Sequence, residues 1–135
     1  EKERNMLYAV IDAINENLLL SCHDISDGGL FTTIAEMILG GDADGGIGAE
    51  INLDFTNLRN DKALFSESSG FVFEAESKNL EKLNKLFKHY NLSLIKLGKT
   101  KGKNLIIKNK NKIILNLQIS KLKEAWTKGF VEALE

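Results

Sequence analysis

The sequence predicts an α+β domain, a mixed β-sheet with helices packed on it. Three observations predict this. Apolar residues recur at helical spacing in four separated segments, with short apolar or alternating runs between them. Their order is helix, strand, helix, strands, helix, strands, helix, which suits helices layered on a mixed sheet. The length of 135 residues, with 43% hydrophobic and 27% charged residues, fits one soluble domain with one real core.

Each element follows from a local pattern. Met6, Leu7, Val10, Ile11 and Ile14 predict an amphipathic helix over 3–16. Leu18 to Cys22 is an apolar run long enough for a buried strand, and His23 to Gly29 reads as a loop. Leu30, Phe31, Ile34, Ala35, Met37 and Ile38 give a second helix, stopped by Gly40 and Gly41. Asp42 to Gly48 reads as a turn, Ile47 to Phe55 as a strand and Asp61 to Phe65 as a short helical turn. Phe71, Phe73 and Ala75 alternate with Val72, Glu74 and Glu76, as a strand does. Leu80, Leu83, Leu86 and Phe87 predict a third helix ending near Tyr90, and Leu92, Leu94 and Ile95 begin another strand. Leu105–Ile107 and Ile113–Ile119 form a hairpin around Asn109–Asn111. Ser120 caps a last helix carrying Leu122, Ala125, Trp126 and Phe130 on one side, with Trp126 either in the core or on the surface.

The net charge of −1 is unevenly spread. Residues 1–77 hold 4 Lys/Arg against 15 Asp/Glu, and residues 78–135 hold 14 Lys against 4 Glu. The basic half lacks arginine, and its aromatics do not interleave with its lysines as a base-stacking platform would. It reads as a solvated surface, not a nucleic-acid face. No apolar run approaches the roughly 20 residues that span a bilayer, and no signal peptide is expected. One cysteine, Cys22, makes no internal disulfide, so a cytoplasmic location is expected. The chain opens on Glu1-Lys2-Glu3-Arg4 without a methionine, which suggests a piece of a longer protein.

Two segments carry residues suited to chemistry. In His23 to Leu30 a strand exits into Asp24-Ile25-Ser26-Asp27-Gly28-Gly29 and a helix starts at once. Gly28 and Gly29 let a ligand approach the backbone, and a helix start favours an anion such as phosphate. Asp24 and Asp27 suit such a site if Mg²⁺ lies between, because Mg²⁺ takes one or two carboxylates plus phosphate oxygens. On the other reading Ser26 or Asp27 caps the helix and the glycines relieve crowding against a neighbour. In the second segment, Leu64-Phe65-Ser66-Glu67-Ser68-Ser69-Gly70 stands directly before a strand. Its carboxylate and hydroxyls either hold a polar ligand or satisfy backbone groups at the strand entry. Cys22 and His23 are adjacent in a strand, point to opposite faces and make no nucleophile–base pair. One Cys and two distant His residues make a poor transition-metal site.

Together, Cys22-His23-Asp24-Ile25-Ser26-Asp27-Gly28-Gly29-Leu30, Ala35-Glu36-Met37 and Leu64–Gly70 resemble the C-terminal domain of the aminoimidazole ribonucleotide synthetase-like superfamily. That superfamily includes the synthetase itself, phosphoribosylformylglycinamidine synthases and thiamine-monophosphate kinases. The pairing of His-Asp-Ile-Ser-Asp-Gly-Gly-Leu with Leu-Phe-Ser-Glu-Ser, and the tail Leu122-Lys123-Glu124-Ala125-Trp126, are most similar to the phosphoribosylformylglycinamidine synthases, in the C-terminal domain of their second half. The resemblance implies a part of an ATP-dependent ligase of purine biosynthesis. Such enzymes convert formylglycinamide ribonucleotide, glutamine-derived ammonia and ATP into the amidine, with ADP and phosphate released. It implies Mg²⁺ and ATP in the parent enzyme, with Asp24 as the metal residue and Gly28, Gly29, Glu67, Ser68 and Ser69 as substrate- or nucleotide-binding residues. It also implies partners: the other domains of the synthase, a glutaminase subunit and a small accessory subunit. It further implies that the catalytic residues lie in other domains, so that none falls in this chain and the domain alone is expected to be inactive. Ser69 stands where the first half of such enzymes has Gln, and Phe71 where relatives carry Arg. Both departures point toward structural or vestigial roles for Asp24 and Glu67, in a non-catalytic module that holds a nucleotide at a pseudo-symmetric site or supports the other half by packing.

Overall fold

The computed structural model describes residues 1–41 and 46–132. The expected turn over Asp42–Gly48 therefore lies largely outside the described residues. Helix α1 runs Lys2–Asn15 and buries Ala9, Val10 and Ala13. The expected apolar face is thus split, because Leu7, Ile11 and Ile14 are exposed. Asn17 ends the helix with a left-handed φ of 53°. Its N–H reaches the Ile14 carbonyl, and Leu18 N–H reaches that of Ala13. This is a Schellman closure, and Leu18 is its buried hydrophobic residue.

That closure corrects the expected strand at Leu18–Cys22. Strand β1 is Ser21–Asp24, so His23 and Asp24 are in a strand and Leu20 is exposed. Helix α2 is Gly29–Leu39, β2 is Ala49–Asn52 and α3 is Asn60–Phe65. Strand β2 is shorter than expected, and Ile47 and Phe55 at its flanks are exposed. Strand β3 is Phe71–Glu74 and pairs antiparallel with β1, Cys22 opposite Phe73 and Asp24 opposite Phe71.

A single 3₁₀ turn, Ser77–Asn79, leads into α4, Leu80–His89. Asn91, φ 57°, ends α4 as Asn17 ends α1, with Leu92 N–H bonded to the Phe87 carbonyl. The expected strand at Leu92–Ile95 is therefore absent. Leu92 and Leu94 instead pack on the core beneath α4, and β4 is the later Gly98–Thr100. Strands β5, Asn104–Asn109, and β6, Lys112–Gln118, form the expected hairpin. Its two-residue turn, Lys110-Asn111, has φ of 48° and 62°, the type I′ signature. Helix α5 is Ile119–Glu132.

The strands form two sheets. One is mixed and four-stranded, in the order β4-β2-β5-β6, with β2 and β5 parallel and the other pairs antiparallel. The other is the β1–β3 ribbon. Each has its own core. Leu30, Ile34, Ile51, Leu53, Leu105, Ile107, Ile119 and Leu122 fill the first, under α2, α3 and α5. Ala9, Val10, Ala13, Leu83 and Phe87 fill the second, between α1, α4 and the ribbon. Strand alternation divides the ribbon: Val72 joins the first core, and Phe71 and Phe73 join the second.

Two expectations about the surface resolve here. Trp126 is 53% exposed and is not a core residue, because α5 leaves the body after Leu122. Trp126→Ala is accordingly expected to cost about 1 kcal/mol or less in chemical denaturation, as surface substitutions do.

The acidic and basic halves of the chain also meet. Glu50 on β2 lies 2.7 Å from Lys101 Nζ and 2.8 Å from Lys108 Nζ. Hydrogen bonds from these two lysines lower its pKa from 4.5 to about 2. A depressed folded-state value contributes stability that is present above the unfolded value of 4.5 and lost as pH falls through about 2. Glu50→Gln is expected to flatten this acid-side loss, read as urea midpoints at neutral and at about pH 3.

Candidate functional site

The two segments singled out in the sequence are packed against each other. Residues Ser26 to Gly29 form a turn closed by Gly29 N–H to the Ser26 carbonyl, 3.0 Å. Gly28, at φ 80° and ψ 2°, is the third residue of a type II turn, a position that requires φ above zero. Glycine is therefore needed at 28 by the turn itself. Gly29 is needed by the neighbour. A β-carbon there would lie 2.7 Å from the Phe65 carbonyl carbon and the Ser66 oxygen, and 2.9 Å from the Leu64 oxygen. The N-terminus of α2 thus presses on the backbone that leaves α3.

Hydrogen bonds complete the join. Gly28 N–H donates to Glu67 Oε1 at 3.1 Å. Ile25 N–H donates to the Gly70 carbonyl at 2.8 Å. Thr33 Oγ lies 3.2 Å from the Asp24 carbonyl and 3.1 Å from that of Gly29, so the fully buried threonine staples the turn to the helix. Sequence reasoning missed Thr33. A hydroxyl on the buried face of an otherwise apolar helix was the signal available.

Of the remaining candidates, Ser69 Oγ donates to Glu3 Oε1 on α1 at 3.2 Å, which ties the second segment to the first helix. Ser68 is exposed. Asp24 has a side chain 61% exposed, with Oδ1 3.3 Å from His23 Nδ1. His23 Nδ1 also lies 2.7 Å from the Asp24 carbonyl, and Nε2 lies 3.1 Å from Glu36 Oε2 on α2. Sequence reasoning had given Glu36 no role. Cys22 faces the other way, toward the core under α4, and burial pushes its thiol pKa up, with the Asp24 charge adding to the effect. A raised thiol is a poor nucleophile, in keeping with the reading that Cys22 and His23 do not form a pair.

The arrangement bears on phosphate and Mg²⁺. Asp24 offers one carboxylate, and among the described residues no group of three His, Cys, Asp or Glu side chains gathers for a metal. The Gly28 N–H, the donor expected to greet a phosphate, is held by the Glu67 carboxylate. An anion at that nitrogen has to displace Glu67 first, since two anions repel at such a distance. In this arrangement the Glu67 carboxylate stands where an anionic ligand would approach the Gly28 N–H.

Known proteins resemble the chain along nearly its whole length. The phosphoribosylformylglycinamidine synthase subunit PurL of Methanothrix thermoacetophila is 37% identical over 132 residues, which is 98% of this chain and 17% of that subunit. PurL of Alkaliphilus metalliredigens is 33% identical over 133 residues, again 98% and 17%. The chain therefore spans about a sixth of the length of these relatives. Among solved structures, T. maritima PurL complexed with FGAR has a TM-score of 0.76 at 16% identity, covering 89% of this chain and 20% of that one. The structure of PurLQS from Thermotoga maritima has a TM-score of 0.71 at 17% identity, over 89% and 21%. At these identities the solved structures establish a shared fold, the α+β arrangement of helices on a mixed sheet. No described helix is long and apolar enough to cross a membrane. The family model described as AIR synthase related protein, C-terminal domain, matches residues 1–108, and the chain belongs to that family, with PurL among its relatives.

Proposed function

We propose that this chain is the C-terminal domain of the second half of a phosphoribosylformylglycinamidine synthase. That enzyme makes formylglycinamidine ribonucleotide from formylglycinamide ribonucleotide, glutamine-derived ammonia and ATP, with Mg²⁺. The observation that carries the reading is the 37% identity to a PurL subunit over a span covering 98% of the chain, with both the glycine and the Glu67 motifs inside it. Here the domain works as a scaffold. Its own residues fix a rigid junction between the Gly28–Gly29 turn and the Glu67 segment, and the reacting groups come from the rest of the synthase. A glutaminase subunit and a small accessory subunit are the expected partners, a reading that the PurLQS assembly of the relative supports.

The test is reconstitution. The isolated chain is expected to form no amidine from formylglycinamide ribonucleotide, ammonia and Mg-ATP, whereas the synthase containing it does. Turnover by the isolated chain, or wild-type turnover by a synthase lacking it, would refute the proposal. Asp24→Asn separates a ligand role from a structural one. With a side chain this exposed, the variant is expected to melt within about 0.5 kcal/mol of wild type. If Asp24 holds Mg²⁺ in the assembled enzyme, the same variant lowers turnover and raises the Mg²⁺ requirement.

One observation favours a second reading, a domain whose junction between the Gly28–Gly29 turn and the Glu67 segment is structural only: Glu67 occupies Gly28 N–H. On that reading millimolar Mg-ATP leaves the Gly28 and Gly29 amide resonances of the synthase unmoved, and Asp24→Asn leaves turnover unchanged.

A further inference from the structure

Asp27-Gly28 is the one place among the described residues where aspartate precedes glycine. Such a peptide is chemically vulnerable, because glycine offers no side chain to hinder its own nitrogen. The Gly28 nitrogen, on losing its proton, can attack Cγ of the Asp27 carboxyl group. The N–Cγ bond forms, a C–O bond breaks and water leaves, giving a five-membered succinimide. Water then adds back to either ring carbonyl. One product is the original aspartate and the other is isoaspartate, whose main chain runs through the β-carbon and is one methylene longer.

We propose that Glu67 protects this peptide, so that the second motif guards the first against isomerisation. The Gly28 N–H that must lose its proton is held 3.1 Å from the Glu67 carboxylate, and a neighbouring anion opposes that loss. The nitrogen also has to swing toward Asp27, and the segment is pinned on three sides. Gly29 N–H closes the turn onto Ser26, Thr32 Oγ donates to the Gly28 carbonyl at 3.1 Å, and Gly29 abuts the Phe65–Ser66 backbone. Asp27 itself is exposed, so water reaches its carboxyl group freely. Isomerisation would lengthen the main chain inside the turn and pull α2 off its contact with the end of α3. This role is independent of the proposed function, since it concerns the peptide and not any ligand.

The test is an ageing experiment at physiological temperature and neutral pH. Isoaspartate is quantified by isoaspartyl methyltransferase labelling, and fragment-ion mapping separates Asp27-Gly28 from Asp44-Gly45. The folded chain is expected to isomerise at Asp27 far more slowly than a free peptide covering residues 25–31. Glu67→Ala is expected to raise the Asp27 rate about tenfold, the worth of one hydrogen bond to a charged group, and to leave Asp44 unchanged. Glu67→Gln, which keeps an acceptor oxygen, is expected to fall between the two. Leu83→Ala, a variant of the second core, away from α2 and the Glu67 segment, serves as the control for general destabilisation and is expected to keep the wild-type Asp27 rate. Equal rates in wild type and Glu67→Ala would overturn the proposal. So would a rise at both aspartates, or an equal rise in Leu83→Ala, because loss of folding would then be the cause.

Discussion

Gly29→Ala is expected to be among the most damaging single-methyl changes in this chain, lowering stability by about 3–5 kcal/mol. Two costs add. The residue has φ 67°, where an alanine is strained. The new methyl would also lie 2.7–2.9 Å from three backbone atoms of Leu64, Phe65 and Ser66, none of which can rotate away as a side chain would. Gly102→Ala isolates the first cost, because Gly102 shares φ 67° and a methyl there meets nothing within 4 Å. Urea denaturation of the two variants checks the argument. Equal losses would show that backbone strain is the whole effect and that the contact between the motifs is loose.

Leu105→Ala is expected to cost about 2–5 kcal/mol, the range for a large residue removed from a packed core. Leu105 is fully buried on the central strand β5, between β2 and β6. With strands paired on both of its edges, β5 gives the site little room to collapse, which places the cost toward the upper end. Leu83, also fully buried, tests the second core in the same way. Coincident loss of signal from both cores in the Leu105→Ala chain, followed by fluorescence and amide exchange, is the expected result. A second core that outlives the first would show that they fold separately.

Much of this architecture was legible because periodicity reports on burial. Four of the five described helices and the β5–β6 hairpin follow from apolar spacing and turn residues, and α3 answers to the short helical turn expected over Asp61–Phe65. The misplaced strands share one cause. Leu18–Leu20 and Leu92–Ile95 read as strands because they are apolar, but in each the first leucine closes the preceding helix behind an asparagine at positive φ. Asn17-Leu18 and Asn91-Leu92, each just after a helical period, were the available signal. Trp126 stayed open between core and surface for a different reason: periodicity assigns a helix face and not the length over which that face is covered. The candidate site was legible as two motifs. Their union was not, since no local rule brings Glu67 to Gly28 across 39 positions. The mirrored charge of the two halves hid a similar long-range pairing, the one at Glu50.

The β1–β3 ribbon carries a consequence for how this chain can vary over time. A strand with one wet face can exchange half of its residues freely. The ribbon has a core on either side, so β3 has no such half: Phe71 and Phe73 belong to one core and Val72 to the other. Even Glu74 is engaged, accepting a hydrogen bond from Thr100 on β4 at 2.7 Å. Each substitution in β3 therefore answers to one neighbourhood or the other, and a slip of one residue would exchange every side chain between them. The ribbon acts as a shared party wall, and its sequence is free to drift only as far as both rooms allow.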